Sequence, residues 1–212
     1  MISGMVRDDS PEATSARLET PCQEVYRALQ RGMQTADHLH DVAAWKREAD
    51  LHLHRHMTRR DAMEDLKQLN PEMEDDDDLG LPMSGLILHL PEDVIRVWHT
   101  ADSKIPKPTT EAKLRFVNQL SERAIPLIGP GELDLGLPEL LPKPHATNNV
   151  ILQWTAEGSV ITRFDLVRPV GVQGGQVAID WRLSLLGRYT QLPDLQYRLR
   201  DGLEGIGEAQ AP

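Results

Sequence analysis

The chain has 212 residues, of which 40% are hydrophobic and only 4% aromatic, and its formal net charge is −10. This length and apolar content suffice for one domain whose core is filled mainly by aliphatic side chains. An acidic surface repels phosphate polyanions unless a local basic face compensates, so the composition argues against nucleic acid as a partner.

Cysteine usage and hydropathy indicate the compartment. Cys22 is the only cysteine, so it has no partner for an internal disulfide, which suits a reducing environment. We expect Cys22 to occupy a semi-buried helix position and not to act as a nucleophile. The polar segment 1–14 lacks the apolar stretch of a secretion signal, and the longest apolar run, 85–90, is too short to span a bilayer. The sequence therefore predicts a cytoplasmic protein with no membrane partner.

The N-terminal third divides into a polar lead and a helical arm. Residues 1–19 are rich in Asp, Ser and Arg with little to bury, which predicts a disordered lead. The arm covers residues 20–70 and begins with Thr20 as N-cap and Pro21 at the first helical position. After this first helix, a second helical stretch runs from about residue 35 to Asn70-Pro71, as one helix or two.

One face of the arm carries apolar and histidine side chains at helical spacing. Residues three or four apart share a helix face. The set consists of Val42, Trp45, Ala49, His52, His56, Met63 and Leu66. Such a stripe must pack against another surface, and we interpret it as the binding surface for a partner protein or for a second copy of the chain.

An acidic linker and a second folded unit follow the arm. Residues 71–80 are mostly Asp and Glu and predict a solvated linker. Residues 81–204 are predicted to form an α+β domain, and residues 205–212 a frayed tail. Within the domain, the apolar run 85–90 predicts a short strand.

Helices and connectors fill the middle of the predicted α+β domain. Residues 91–98 and 110–123 have apolar side chains at helical spacing and are predicted as helices, whereas 126–145 is an irregular Leu-rich wrap broken by Pro and Gly. A modest basic cluster surrounds the Pro-rich connector between the two helices and consists of Lys104, Lys107, Lys113 and Arg115. It either meets a phosphate or an acidic protein, or balances the acidic linker within the molecule.

The segment 149–186 has the clearest pattern in the chain. Its apolar residues alternate with polar ones, as in Val150, Leu152 and Trp154, which is typical of strands with one buried face. The segment therefore predicts a three-stranded antiparallel β-meander. Since three strands cannot form a core alone, helices must cover the apolar side. The predicted fold class is thus α+β, a meander covered by helices and preceded by the helical N-terminal arm.

Cross-strand pairing follows from the predicted turns. A three-residue loop, Ala156-Glu157-Gly158, would place Trp154 opposite Val160 and Val150 opposite Phe164. Keeping the apolar faces together pairs Leu166 with Trp181 and, on the polar face, Asp165 with Arg182. Trp154, Phe164 and Trp181 either belong to the core or line a small-ligand pocket between the meander and the helices.

The histidines of the arm raise the question of a metal. His52 and His56 are one helical turn apart, as metal ligands often are, and His38 or Asp41 would have to supply a third ligand. The metalloprotease motif needs Glu directly after the first His, where this chain has Leu53, and Arg55 places a positive charge nearby. We therefore predict no cofactor and keep the metal set His52, His56 and His38 as an alternative.

A second enzymatic alternative depends on Arg47 and His52. Their Arg-x4-His spacing resembles that of the HEPN ribonucleases, a family of helical proteins common among toxins. The resemblance covers six residues, 47–52. It implies that Arg47 would stabilise a phosphate and that His52 would transfer protons.

The sequence-based function is therefore a binding function. We predict a cytoplasmic interaction or regulatory protein that acts through the helical arm on a partner protein or on itself. The alternative is a helical RNase-like enzyme or metal-dependent hydrolase centred on Arg47, His52 and His56. A small-molecule ligand is a further possibility.

Overall fold

A computed structural model describes residues 7–46, 51–69, 86–102, 104–119 and 148–190. The helices in this part of the chain are α1 (Pro11–Arg17), α2 (Glu19–Val42), α3 (Leu51–Leu69), α4 (Glu111–Val117) and α5 (Leu186–Tyr189). The strands are β1 (Leu86–His89), β2 (Asp93–His99), β3 (Asn148–Glu157), β4 (Val160–Gln173) and β5 (Gln176–Ser184).

The strands form one mixed sheet in the order β1-β2-β3-β4-β5. All neighbours are antiparallel except β2 and β3, which run parallel. The α+β class is confirmed, but the prediction of a three-stranded meander is wrong because the sheet has five strands. The three predicted strands are β3, β4 and β5. The sheet is extended by β2 and by β1, which was predicted from the run 85–90.

Strand β2 was missed because both of its faces are buried. Residues 93–98 are all buried, so the strand has no alternation of polar and apolar positions. Val94, Ile95 and Trp98 are spaced as on one face of a helix, and residues 91–98 were predicted as a helix for that reason. That prediction is wrong, since a short apolar run cannot distinguish a buried strand from a helix.

The hairpin of β3 and β4 has a different register from the predicted one. Trp154 pairs with Phe164, and the strands continue until Glu157 pairs with Val160, so only two residues form the turn. Gly158 has φ +60° there, as predicted for a left-handed turn position. The predicted pairings of Trp154 with Val160 and of Val150 with Phe164 are therefore wrong. The shift is an even number of residues, which keeps each side chain on its predicted face.

The pairing of β4 with β5 shows the same kind of shift. Leu166 pairs with Leu183 and not with Trp181. The predicted contact between Asp165 and Arg182 is confirmed as an ion pair of 3.5 Å. The ladder is irregular around Pro169, which cannot donate a backbone hydrogen bond.

The larger core lies between one face of the sheet and helices α2, α3 and α5. Tyr26 of α2 meets the ring of Phe164 edge-on, with centroids 5.1 Å apart, and also contacts Tyr189 of α5. Cys22 is buried in this core, and burial raises the pKa of its thiol to about 12. The thiol is therefore protonated and unreactive at neutral pH.

A smaller core covers the opposite face. Phe116 and Val117 of α4 pack with Ile151 and Val167 of the sheet. The Thr110 hydroxyl caps α4 by accepting a hydrogen bond from the Lys113 amide. The sheet thus lies between two helical layers.

Residues 7–19 are ordered, although a disordered lead was predicted over 1–19. Ser10 caps helix α1, and α2 begins at Glu19, ahead of the predicted N-cap at Thr20. The segment is held by polar contacts that a search for apolar patterns does not detect. The Trp181 indole donates to the carbonyl of Asp9, and Arg168 forms an ion pair with Asp9.

The arm consists of α2 and α3 packed side by side on the sheet. Helix α2 continues to Val42, and the chain turns at Ala44, which has φ 51°. The predicted linker 71–80 and tail 205–212 lie outside the described residues. Within the described residues, each helix is too short or too polar to cross a membrane.

Candidate functional site

The structure divides the predicted binding stripe. Val42 and Trp45 are exposed near the turn of the helical hairpin α2–α3, whereas Leu66 is buried and Met63 packs against the core. His52 is exposed and His56 is half-buried, and Ala49 lies outside the described residues. The break between the two helices ends the common helical spacing, so residues on either side of it do not share one face.

The described residues do not show a catalytic or metal-binding arrangement for either enzymatic alternative. Arg47 lies outside the described residues, so the Arg-x4-His pair cannot be placed. In the described part of the chain, no three His, Cys, Asp or Glu side chains are grouped as metal ligands would be, and this includes His38, His52 and His56. Both alternatives stay predictions.

The three aromatic residues of the predicted pocket have different surroundings. Phe164 is fully buried in the core, and Trp181 lies at the N-terminal segment, where it contacts Asp9. Trp154 lines a cavity, together with residues that the sequence analysis did not combine with it.

This cavity measures about 400 Å³ and lies between the helical hairpin and the turn that joins β3 and β4. Its walls include Met33, Leu51, His54, Arg55, His99 and Trp154. The walls therefore combine apolar side chains with imidazole and guanidinium groups. Mixed walls of this kind are typical of binding sites.

A hydrogen-bonded trio fixes one wall of the cavity. His54 Nε2 is 2.8 Å from an Asp37 oxygen, and the Ser159 hydroxyl donates to the other oxygen of the same carboxylate. Activation of the serine would require its hydroxyl to donate to the imidazole. Here the serine hydroxyl donates to the carboxylate, and the trio ties α2, α3 and the β3–β4 turn together.

Ring contacts connect the cavity with the exposed Trp45. His40 is buried, and its ring centroid is 6.0 Å from that of Trp45 and 5.5 Å from that of His54. Neither nitrogen of His40 has a hydrogen-bond partner among the described residues. Trp45 is thus two ring contacts from the cavity wall.

A second recess of about 160 Å³ lies on the other side of His99. Arg59 of α3, Trp98 and His99 of β2, and Pro106, Lys107 and Lys113 line it. Lys107 and Lys113 belong to the basic cluster predicted around the connector. Sequence spacing could not reveal that this cluster meets Arg59, because the sheet and both helical layers bring them together.

His99 separates the two spaces and has an unusual protonation equilibrium. Burial, and then the charges of Arg55 and Arg59, lower its pKa from 6.5 to about 4. Its ring also meets the Trp154 ring edge-on, with centroids 4.7 Å apart. His99 is therefore neutral at pH 7. The sequence analysis did not identify His99 as a candidate site residue.

The low pKa of His99 predicts a loss of stability in acid. Between pH 6.5 and pH 4 the unfolded chain binds a proton at this histidine and the folded chain does not. The free energy of unfolding should therefore fall as the pH drops through this window, by about 1 to 2 kcal/mol once solvent screening of the partly exposed ring is allowed for. Urea denaturation at pH 7, 5.5 and 4.5 measures the fall.

Two variants test the assignment of this pH dependence to His99. His99→Phe retains an aromatic ring against Trp154 but cannot bind a proton, so its stability should fall less over the same window. His52→Gln changes an exposed histidine and should keep the wild-type fall. An equal fall in His99→Phe would contradict the assignment.

The comparisons with known proteins leave the site to be interpreted from its geometry. No family model, no curated protein and no solved structure matches the chain.

Proposed function

We propose that this chain is a cytoplasmic binding protein that docks a partner protein on the tip of its helical hairpin α2–α3. The observation that supports this most strongly is Trp45, which is 57% exposed at the tip. Val42 and Leu51 are exposed nearby on the two helices. Exposed tryptophan beside aliphatic side chains is typical of protein interfaces, where aromatic residues supply most of the binding energy.

The cavity supports the same proposal because it adjoins the tip. Leu51 contributes both to the exposed apolar surface and to the cavity wall. A partner that covers Trp45 can therefore place a side chain in the cavity. Interfaces gain affinity when a central anchor enters a pocket and the surrounding contacts exclude water.

Site-specific photo-cross-linking tests where the partner docks. A photoreactive amino acid replaces Val42 in the full chain, and the matched control carries it at Ile179 on β5. The two side chains are equally exposed, at 39% and 40%, so nonspecific collisions label both. We expect a discrete cross-linked partner from position 42 and not from position 179.

Trp45→Ser should weaken this interaction about thirtyfold or more, because a buried tryptophan anchor contributes at least about 2 kcal/mol. The yield of the position-42 cross-link and the affinity for the identified partner measure the loss. Unchanged binding in Trp45→Ser, or equal labelling from position 179, would contradict docking at the tip. A cross-link between two copies of the chain would assign the tip to self-association instead.

A further inference from the structure

The recess beside His99 concentrates positive charge in an acidic protein. Arg59, Lys107 and Lys113 line it, and none of its lining residues in the described part of the chain is acidic. These cations come from helix α3, the connector after β2 and helix α4, so packing of separate elements assembles them. Converging cations from separate elements form a focused positive potential that attracts anions.

Two buried donors in the same walls lack acceptors. The Nε of Arg59 and the indole N–H of Trp98 are buried without a hydrogen-bond partner among the described residues. A buried donor without an acceptor destabilises the structure, because the group has lost its hydrogen bonds to water. The guanidinium of Arg59 suits oxyanions because its donors lie in one plane.

The dimensions of the recess fit a small anion. One water takes up about 30 Å³ in the liquid, so 160 Å³ accommodates a phosphate or a carboxylate. His99 lines this recess and the cavity beside the hairpin. The recess therefore adjoins the cavity, which in turn adjoins the surface proposed for the partner.

We propose that the recess formed by Arg59, Trp98, Lys107 and Lys113 binds an oxyanion, and that this oxyanion is an acidic group of the partner protein docked on the hairpin. The second part rests on the proposed function, and the first part does not. Arg59 and the two lysines neutralise the charge of the oxyanion.

Titration of the purified chain with inorganic phosphate tests the first part. Calorimetry against sodium chloride of matched ionic strength should show one saturable site. Lys107→Gln and Arg59→Gln should each weaken phosphate binding about tenfold or more, since each removes a charge-assisted contact. Lys107 is exposed, so its variant should fold normally, and Arg60→Gln alters the neighbouring exposed residue as a control.

Nuclear magnetic resonance supplies a second readout. Arg55, Arg59, Lys107 and Lys113 surround His99 with positive charge, and Glu157 lies across the cavity. Bound phosphate should raise the pKa of His99, because a nearby negative charge favours the imidazolium. The absence of a phosphate-specific site, or equal binding by wild type, Lys107→Gln and Arg59→Gln, overturns the oxyanion site.

The position-42 cross-link decides the source of the oxyanion. If the partner supplies it, phosphate should compete with the cross-link, and Lys107→Gln should reduce its yield. An undiminished cross-link with phosphate bound overturns the partner as the source and leaves free phosphate as the ligand. A failure of the hairpin proposal is separate, because it removes the Trp45-dependent cross-link and leaves phosphate binding intact.

Discussion

Replacing Arg17 with alanine is expected to lower the free energy of unfolding by about 3 kcal/mol, because it leaves a buried carboxylate without its cation. Asp93 on β2 is only 3% exposed. Arg17 donates to both carboxylate oxygens of Asp93, at 3.2 and 3.1 Å, and Asn148 donates to one of them at 2.8 Å. Of these three hydrogen bonds, only the one from Asn148 would remain in the variant. Urea denaturation at pH 7 measures the loss.

An exposed ion pair provides the control for Arg17→Ala. Arg60 and Glu64 are 57% and 41% exposed and lie 3.8 Å apart, so Arg60→Ala should change stability by less than about 0.5 kcal/mol. Adding Asp93→Asn to Arg17→Ala should restore part of the loss, since a neutral amide needs no cation. If Arg17→Ala destabilises no more than Arg60→Ala, the buried pair does not anchor helix α1.

The second large effect concerns the crossing of α2 and α3. Gly32 lies in α2 where a Cβ atom would fall well inside contact distance of the Thr58 carbonyl oxygen. Backbone atoms of α3 cannot move aside as a flexible side chain can, so the two helices would have to separate. Gly32→Ala should therefore cost about 2 kcal/mol or more, despite the helix propensity that alanine adds.

Gly187 offers a matched control for this substitution. It lies in helix α5, and a Cβ atom there would meet nothing within 4 Å. Gly187→Ala should be neutral or stabilise the protein by up to about 1 kcal/mol. If both alanine variants unfold at the same urea concentration as wild type, α2 and α3 do not require close contact at Gly32.

Close contact at Gly32 matters for the proposed function. It holds α2 against α3 within one helical turn of His54 and Arg55, which line the cavity. A separation of the helices would move these side chains relative to Trp154 and His99 on the sheet. We therefore expect Gly32→Ala to reduce the position-42 cross-link as well as the stability.

The way each element is buried decided whether its sequence pattern predicted it correctly. Strands β3 and β4 were predicted because the side chains that enter the helix-covered core, such as Leu152 and Leu166, recur at alternate positions. Strand β2 was predicted as a helix because burial of both faces removes this alternation. Helix α1 was predicted as disordered because Arg17 and Asp9 hold it by polar contacts, and hydropathy does not record these.

The sequence by itself determined the α+β class, the strand β1, the antiparallel strands after residue 148 and the Asp165–Arg182 pair. These features depend on neighbours in the chain or on two-residue periodicity, which a sequence displays directly. Only the tertiary structure decided the parallel pairing of β2 with β3, the split of the binding stripe and the basic recess. The recess draws Arg59, His99 and Lys113 from three elements, and their approach depends on how helices pack on a sheet, which no local pattern encodes.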